Sequence, residues 1–121
     1  MKARKSSSDQ EIVIFVTTAS EEEATRIGRA LVEGGLAACA NVVPGIRSIF
    51  SWEGKVAEER ECLILLKSRS GLFNQLSTAV KSLHSYSVPE IIALPIVQGS
   101  TDYLAWIRDV MGRHTGKPSK T

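Results

Sequence analysis

Residues 84–90 read His-Ser-Tyr-Ser-Val-Pro-Glu and place an imidazole, a phenol and a carboxylate within seven positions. Nowhere else does the chain group ligand-type side chains so tightly outside an obvious packing pattern. Copper(II) prefers imidazole with further nitrogen, oxygen or sulfur donors, and outcompetes other first-row divalent ions at most such sites. His84 and Glu90 are therefore the candidate metal ligands, joined by Cys39 only if its thiol is exposed. Each residue also has a blander role. His84 can hydrogen-bond at a helix end, where the dipole favours a cation. Tyr86 reads as a packing residue with a bonded hydroxyl rather than a catalytic acid. Glu90 precedes the apolar run 91–94, and if buried it needs donors or a cation, with Lys67, Arg69 or His84 as candidates.

A second cluster holds Glu53, Glu58, Glu59 and Glu61 with Lys55 and Arg60. Strand alternation separates Glu58 from Glu59 and Glu61, so the cluster reads as a salt-bridge seam between subunits rather than a hard-cation site. Trp52 beside it reads as an interface anchor. Enzyme readings find little support. A phosphate cradle after the first strand would face Glu21, Glu22 and Glu23, which repel an anion from that helix terminus. No serine or cysteine has a recognisable base in register.

The elements that position these residues follow from patterning. Residues 12–16 form a continuous β-branched and aromatic run, as in a strand buried on both faces. Ser20 and Glu23 make a capping box for a helix ending at Gly34-Gly35. Residues 36–43 predict a second strand, broken at Pro44-Gly45 and resumed over 46–52. Glu53-Gly54 turns the chain into a third strand over 56–67. Its outer half is polar on both sides, so this hairpin should project from its own sheet to where a partner covers it. A second helix is expected over 71–83 and a fourth strand over 91–97. Pro95 removes a ladder donor there and sends that strand to an edge. A third helix starts near Ser100 or Thr101 and stops at Gly112. The order is that of an α+β, ferredoxin-like βαββαβ sandwich with an added C-terminal helix. Helices cover one sheet face, and self-association is the simplest cover for the other.

With 121 residues the chain makes one domain, expected over 11–112, between polar tails at 1–10 and 113–121 that read as disordered. The tails carry +2 and +3 and the body between them −3, which leaves the net charge of +2. That balance argues against nucleic acid, whose phosphates demand clustered Lys and Arg. There is no apolar run of membrane-spanning length, and polar residues 6–10 occupy the place of a signal-peptide core, so the cytoplasm is expected. Cys39 and Cys62 read as reduced core residues.

Several strings together carry a resemblance: Leu36-Ala-Ala-Cys-Ala40, Pro44-Gly45, Trp52-Glu-Gly-Lys55, Glu59 with Glu61, His84-x-Tyr86-x-x-Pro89-Glu90, and Tyr103-Leu-x-Trp106. In this order and spacing they resemble the CutA family of divalent-cation tolerance proteins, over roughly residues 11–111. The resemblance implies a non-enzymatic, PII-like homotrimer, with sheets facing inward and long hairpins bracing neighbours. It implies clefts between subunits lined by His84, Tyr86, Glu90, Cys39 and Lys67, and a trimer interface containing Trp52, Glu59 and Glu61. It implies Cu2+ or another divalent cation as ligand, with no required cofactor. Copper-binding bacterial members carry a cysteine at the end of the first strand and two adjacent histidines in this loop. Here those positions are Val16, Leu83 and His84, so one ligand type of the three is kept. The alternative is a PII-like sensor of a small molecule or anion in the same clefts, or a trimeric scaffold for an unidentified protein partner.

Overall fold

The computed structural model describes residues 9–112. Four strands, β1 (Glu11–Thr18), β2 (Cys39–Trp52), β3 (Lys55–Arg69) and β4 (Ile91–Pro95), form one antiparallel sheet in the order β2-β3-β1-β4. Helices α1 (Glu21–Glu33) and α2 (Phe73–Leu83) cross over between strands, and α3 (Thr101–Gly112) follows β4. This is the ferredoxin-like βαββαβ arrangement with a C-terminal helix, and Pro95 lies on an edge strand, where its missing N–H breaks no ladder.

One sheet face is a packed core. Ile12, Ile14 and Val16 of β1 and Cys62, Ile64 and Leu66 of β3 meet Ala24, Ile27 and Leu31 of α1 and Leu76 and Val80 of α2. Burial of these aliphatic side chains supplies the main stabilisation of the fold. The opposite face carries Val13, Phe15, Leu63, Leu65, Ile92 and Leu94, which register pairing places side by side. Ile92 and Leu94 are each 52% exposed there. Helix α3 packs only at the end of the sheet where β1 begins and β3 ends. Arg108 pairs with buried Glu11 at 2.8 Å, and Arg69 donates to the Met111 carbonyl at 3.2 Å.

Strand boundaries differ from the sequence pattern for local reasons. Residues 36 and 37 do not join β2, because their N–H groups bond the Leu31 carbonyl and finish the end of α1. The fourth strand stops at Pro95 rather than at 97. After one further bond from Ile96 N to the Glu11 carbonyl, Val97 turns out to solvent. Pro44-Gly45 does not end β2 but shifts its register between Val43 and Ile46, with Gly45 at φ 76°. Of the expected tails, residues 1–8 and 113–121 lie outside the described residues. Gln10 is tied in, donating to Ile96 and Glu11 carbonyls and accepting from Ser70 N.

The β2–β3 hairpin turns at Glu53 (φ 52°) and Gly54 (φ 80°), the paired left-handed conformations of a two-residue turn. Gly54→Ala therefore forces a Cβ into that region and should cost about 1 kcal/mol, readable as a lower urea midpoint.

Candidate functional site at the corner of β1, β3 and the loop after α2

The corner begins with the start of α1. Ser20 caps the helix by accepting from Glu23 N at 3.1 Å. The Glu23 carboxylate reaches back to Ala19 N at 3.3 Å, one residue before the cap. It also reaches across the chain to accept from Ser85 N at 2.7 Å and from Ser85 Oγ at 3.1 Å. Burial alone would raise its pKa, but the Ser85 and Ala19 donors, with His84 nearby, hold Glu23 below the ordinary glutamate range. One buried carboxylate thus pins the loop after α2 to the first turn of α1.

His84 is the C-cap of α2 and its side chain is fully buried. Its Nε2 lies 2.7 Å from the Thr17 carbonyl, and Tyr86 N donates to its Nδ1 at 3.0 Å. An acceptor at Nδ1 fixes Nε2 as the protonated nitrogen, so both ring nitrogens are engaged. The Glu23 carboxylate stands 3.6 Å from Nδ1. A metal at His84 would have to displace one of these two bonds.

Beyond the imidazole, Tyr86 donates its hydroxyl to the Glu61 carboxylate of β3. Burial, then the Glu61 bond and the charges of Glu61, Glu23 and Glu59, push the phenol well above its usual range. Glu90 follows in the same corner. It is solvent-edged, yet partial desolvation and then the Glu61 carboxylate raise it. The structure therefore brings His84, Tyr86, Glu61 and Glu90 together, with Glu59 close enough to act on Tyr86. The counterions offered from sequence for Glu90 are committed elsewhere in the subunit. Lys67 bonds Asn41, Arg69 bonds α3, and His84 bonds Thr17 and Tyr86.

Cys39 and Lys67 form a separate corner. They face each other across β2 and β3 at the α3 end of the sheet. The Cys39 thiol and the Tyr103 hydroxyl are 3.6 Å apart, and Tyr103 in turn lies 5.6 Å from Trp106 between ring centroids. Lys67 stands six residues from Glu61 on β3, roughly 20 Å at the usual strand rise. Trp52 is farther still, 55% exposed at the hairpin turn. Glu58 pairs with Arg47 of the same hairpin at 3.2 Å. Cys62 is buried in the core, where desolvation, then the Glu21 charge, pushes its thiol up. Among the described residues, no three His, Cys, Asp or Glu side chains converge as a metal-binding group, and no helix is long and apolar enough to cross a membrane.

Comparison with known proteins assigns this architecture. The family model described as CutA1 divalent ion tolerance protein matches residues 12–110. The divalent-cation tolerance protein CutA of Thermus thermophilus is 50% identical over 102 residues, covering 84% of this chain and 99% of that protein. Protein CutA of Homo sapiens is 48% identical over 96 residues, covering 79% of this chain, which spans only 54% of the human protein's length. Among solved structures, the Thermus thermophilus protein superposes with a TM-score of 0.82 over 84% of this chain and 99% of that one, at 50% identity. CutA1 from Oryza sativa does so with a TM-score of 0.83 over 90% of this chain and all (100%) of that one, at 40% identity. By motif, topology and sequence alike, the chain belongs to the CutA1 divalent ion tolerance family.

Proposed function

We propose that this protein is a non-enzymatic homotrimer that takes up divalent cations, Cu2+ among them, at clefts built on the Glu61–Tyr86–Glu90 corner. The observation that carries this reading is the corner's unbalanced charge. Glu90 sits beside Glu61 and is raised by partial desolvation and by that like charge, and among the described residues no ammonium or guanidinium meets it. A divalent cation is the natural complement of such an acid pair. The family's description supports cation handling in general. The uncovered apolar face of Val13, Phe15, Leu65 and Ile92 supports assembly, because apolar surface of that extent is ordinarily covered. The Glu90 carboxylate, rather than the twice-bonded His84 ring or the Tyr86-bound Glu61, is the donor free to turn toward an ion. No cofactor is needed for this role, and we place it in the cytoplasm, where Cys39 and Cys62 stay reduced.

Native mass spectrometry of the metal-stripped protein, with and without copper(II), tests the reading. A trimer gaining a fixed, saturating number of ions supports it. Glu90→Gln should then weaken uptake about tenfold or more, since it removes a charged donor, while His84→Ala should change it less. A trimer that gains no saturating ions sinks the metal reading. The alternative is then an anion or small-molecule sensor, favoured by the half-buried Lys67, whose partner in the subunit is the neutral Asn41.

A further inference from the structure

The uncovered sheet face carries opposite charges at its two ends. Glu59, Glu61 and Lys67 project from the same side of β3, alternating with the core residues Cys62, Ile64 and Leu66. At one end, Glu61 is bonded by Tyr86 and flanked by Glu90, which has no hydrogen-bonded or ionic partner among the described residues. At the other end, Lys67 is half-buried beside Val13, and its ammonium bonds only the neutral Asn41 side chain among the described residues. The Lys67 stem lies along the apolar face while its ammonium reaches the exposed Asn41 side chain, so the charge is without an anionic partner among the described residues, as the carboxylates at the other end are without a cation. The spacing along β3 prevents either from completing the other within one subunit. The strip between them, with Leu63, Leu65 and Phe15, is the surface that a second copy of the chain would cover.

We propose that Lys67 of one subunit inserts its ammonium into the Glu61–Tyr86–Glu90 corner of the next, so that each corner is completed by another copy. This rests on the homotrimer reading above and adds the residues that meet. The contact joins two different patches. Exchanged between two copies such a contact makes a two-fold pair, and passed head to tail it makes a ring where the rotation closes; the homotrimer reading selects the ring. A single ammonium against Glu59, Glu61 and Glu90 leaves the corner negative, with capacity for a divalent ion. Lys67 therefore sets the position of the cleft wall without cancelling its charge.

Charge reversal tests the pairing, with subunit dissociation followed by sedimentation and native mass spectrometry of the full chain. Lys67→Glu and Glu90→Lys should each raise the dissociation constant about tenfold or more, and the double exchange should restore it to within a few-fold of the parent. Lys67→Arg should keep most of the affinity. If a reversed chain does not fold, Lys67→Met and Glu90→Gln serve instead, and their combined loss should be clearly smaller than the product of the two. Losses that simply multiply, in a protein that is still a trimer, overturn the pairing and return Lys67 to a separate anion site. A parent chain that is monomeric overturns the trimer reading itself.

Discussion

Glu23→Ala should lower the unfolding free energy by about 2–4 kcal/mol, the largest loss expected from any single polar side chain here. The substitution removes the acceptor shared by Ala19 N, Ser85 N and Ser85 Oγ, and strands those donors around a 7% exposed side chain. Glu23→Gln should be nearly as harmful at the loop, because an amide group turned toward Ser85 N presents a donor to a donor. The pH dependence carries the sign of a depressed carboxylate. The native pKa of Glu23 lies below its unfolded value, so its contribution is complete above the ordinary glutamate range. It is lost as pH falls through the lower native value. Urea midpoints across pH 3 to 7 should therefore show an acid limb that flattens in Glu23→Ala, for about one proton's worth of linkage. An unchanged midpoint at neutral pH, with Ser85 amide exchange as slow as in the parent, would remove Glu23 from its role as the pin.

Ile92→Glu should separate subunits while leaving the monomer fold nearly untouched. In one subunit Ile92 is already 52% exposed on the uncovered face, opposite Phe15 of β1. A charge there meets water in the monomer but an apolar surface in the assembly. Burial of an unpaired carboxylate costs several kcal/mol, so the dissociation constant should rise roughly a hundredfold or more. Sedimentation at micromolar concentration, paired with far-ultraviolet circular dichroism, separates loss of assembly from loss of fold. A trimer of parental affinity would show that the sheet face is not the buried one.

The fold is written plainly in the chain, and the corner only half so. Residues 12–16 announce a buried strand, Ser20 and Glu23 announce a helix start, and Pro95 announces an edge. Periodicity reads such features because they are local. It failed at residues 36–37, whose apolar character suits a strand but whose N–H groups are consumed by the end of α1. The grouping of His84, Tyr86 and Glu90 is likewise local. The contacts that define their chemistry are not: Glu23 meets Ser85 across 62 positions, Thr17 meets His84 across 67, and Glu61 meets Tyr86 across 25. The capping box revealed Glu23 as a helix residue and gave no sign that its oxygens reach a distant loop. Lys67 beside Cys39, at the far end from Glu90, follows from strand register, and no pattern of residue types encodes register at that range.

The hairpin also bears on how the molecule matures. Contacts between β2 and β3 join near neighbours in the chain, so their turn at Glu53-Gly54 can close early, on the microsecond scale of hairpins. Its outer arms bring little core of their own: Ile49 is 66% exposed and Val56 79%. In the homotrimer proposed above those arms would take their apolar contacts from a neighbour, and the last stage of folding would then be a collision between chains. The rate of such a step rises with protein concentration, and subunits still unassembled keep apolar ribbons in contact with water.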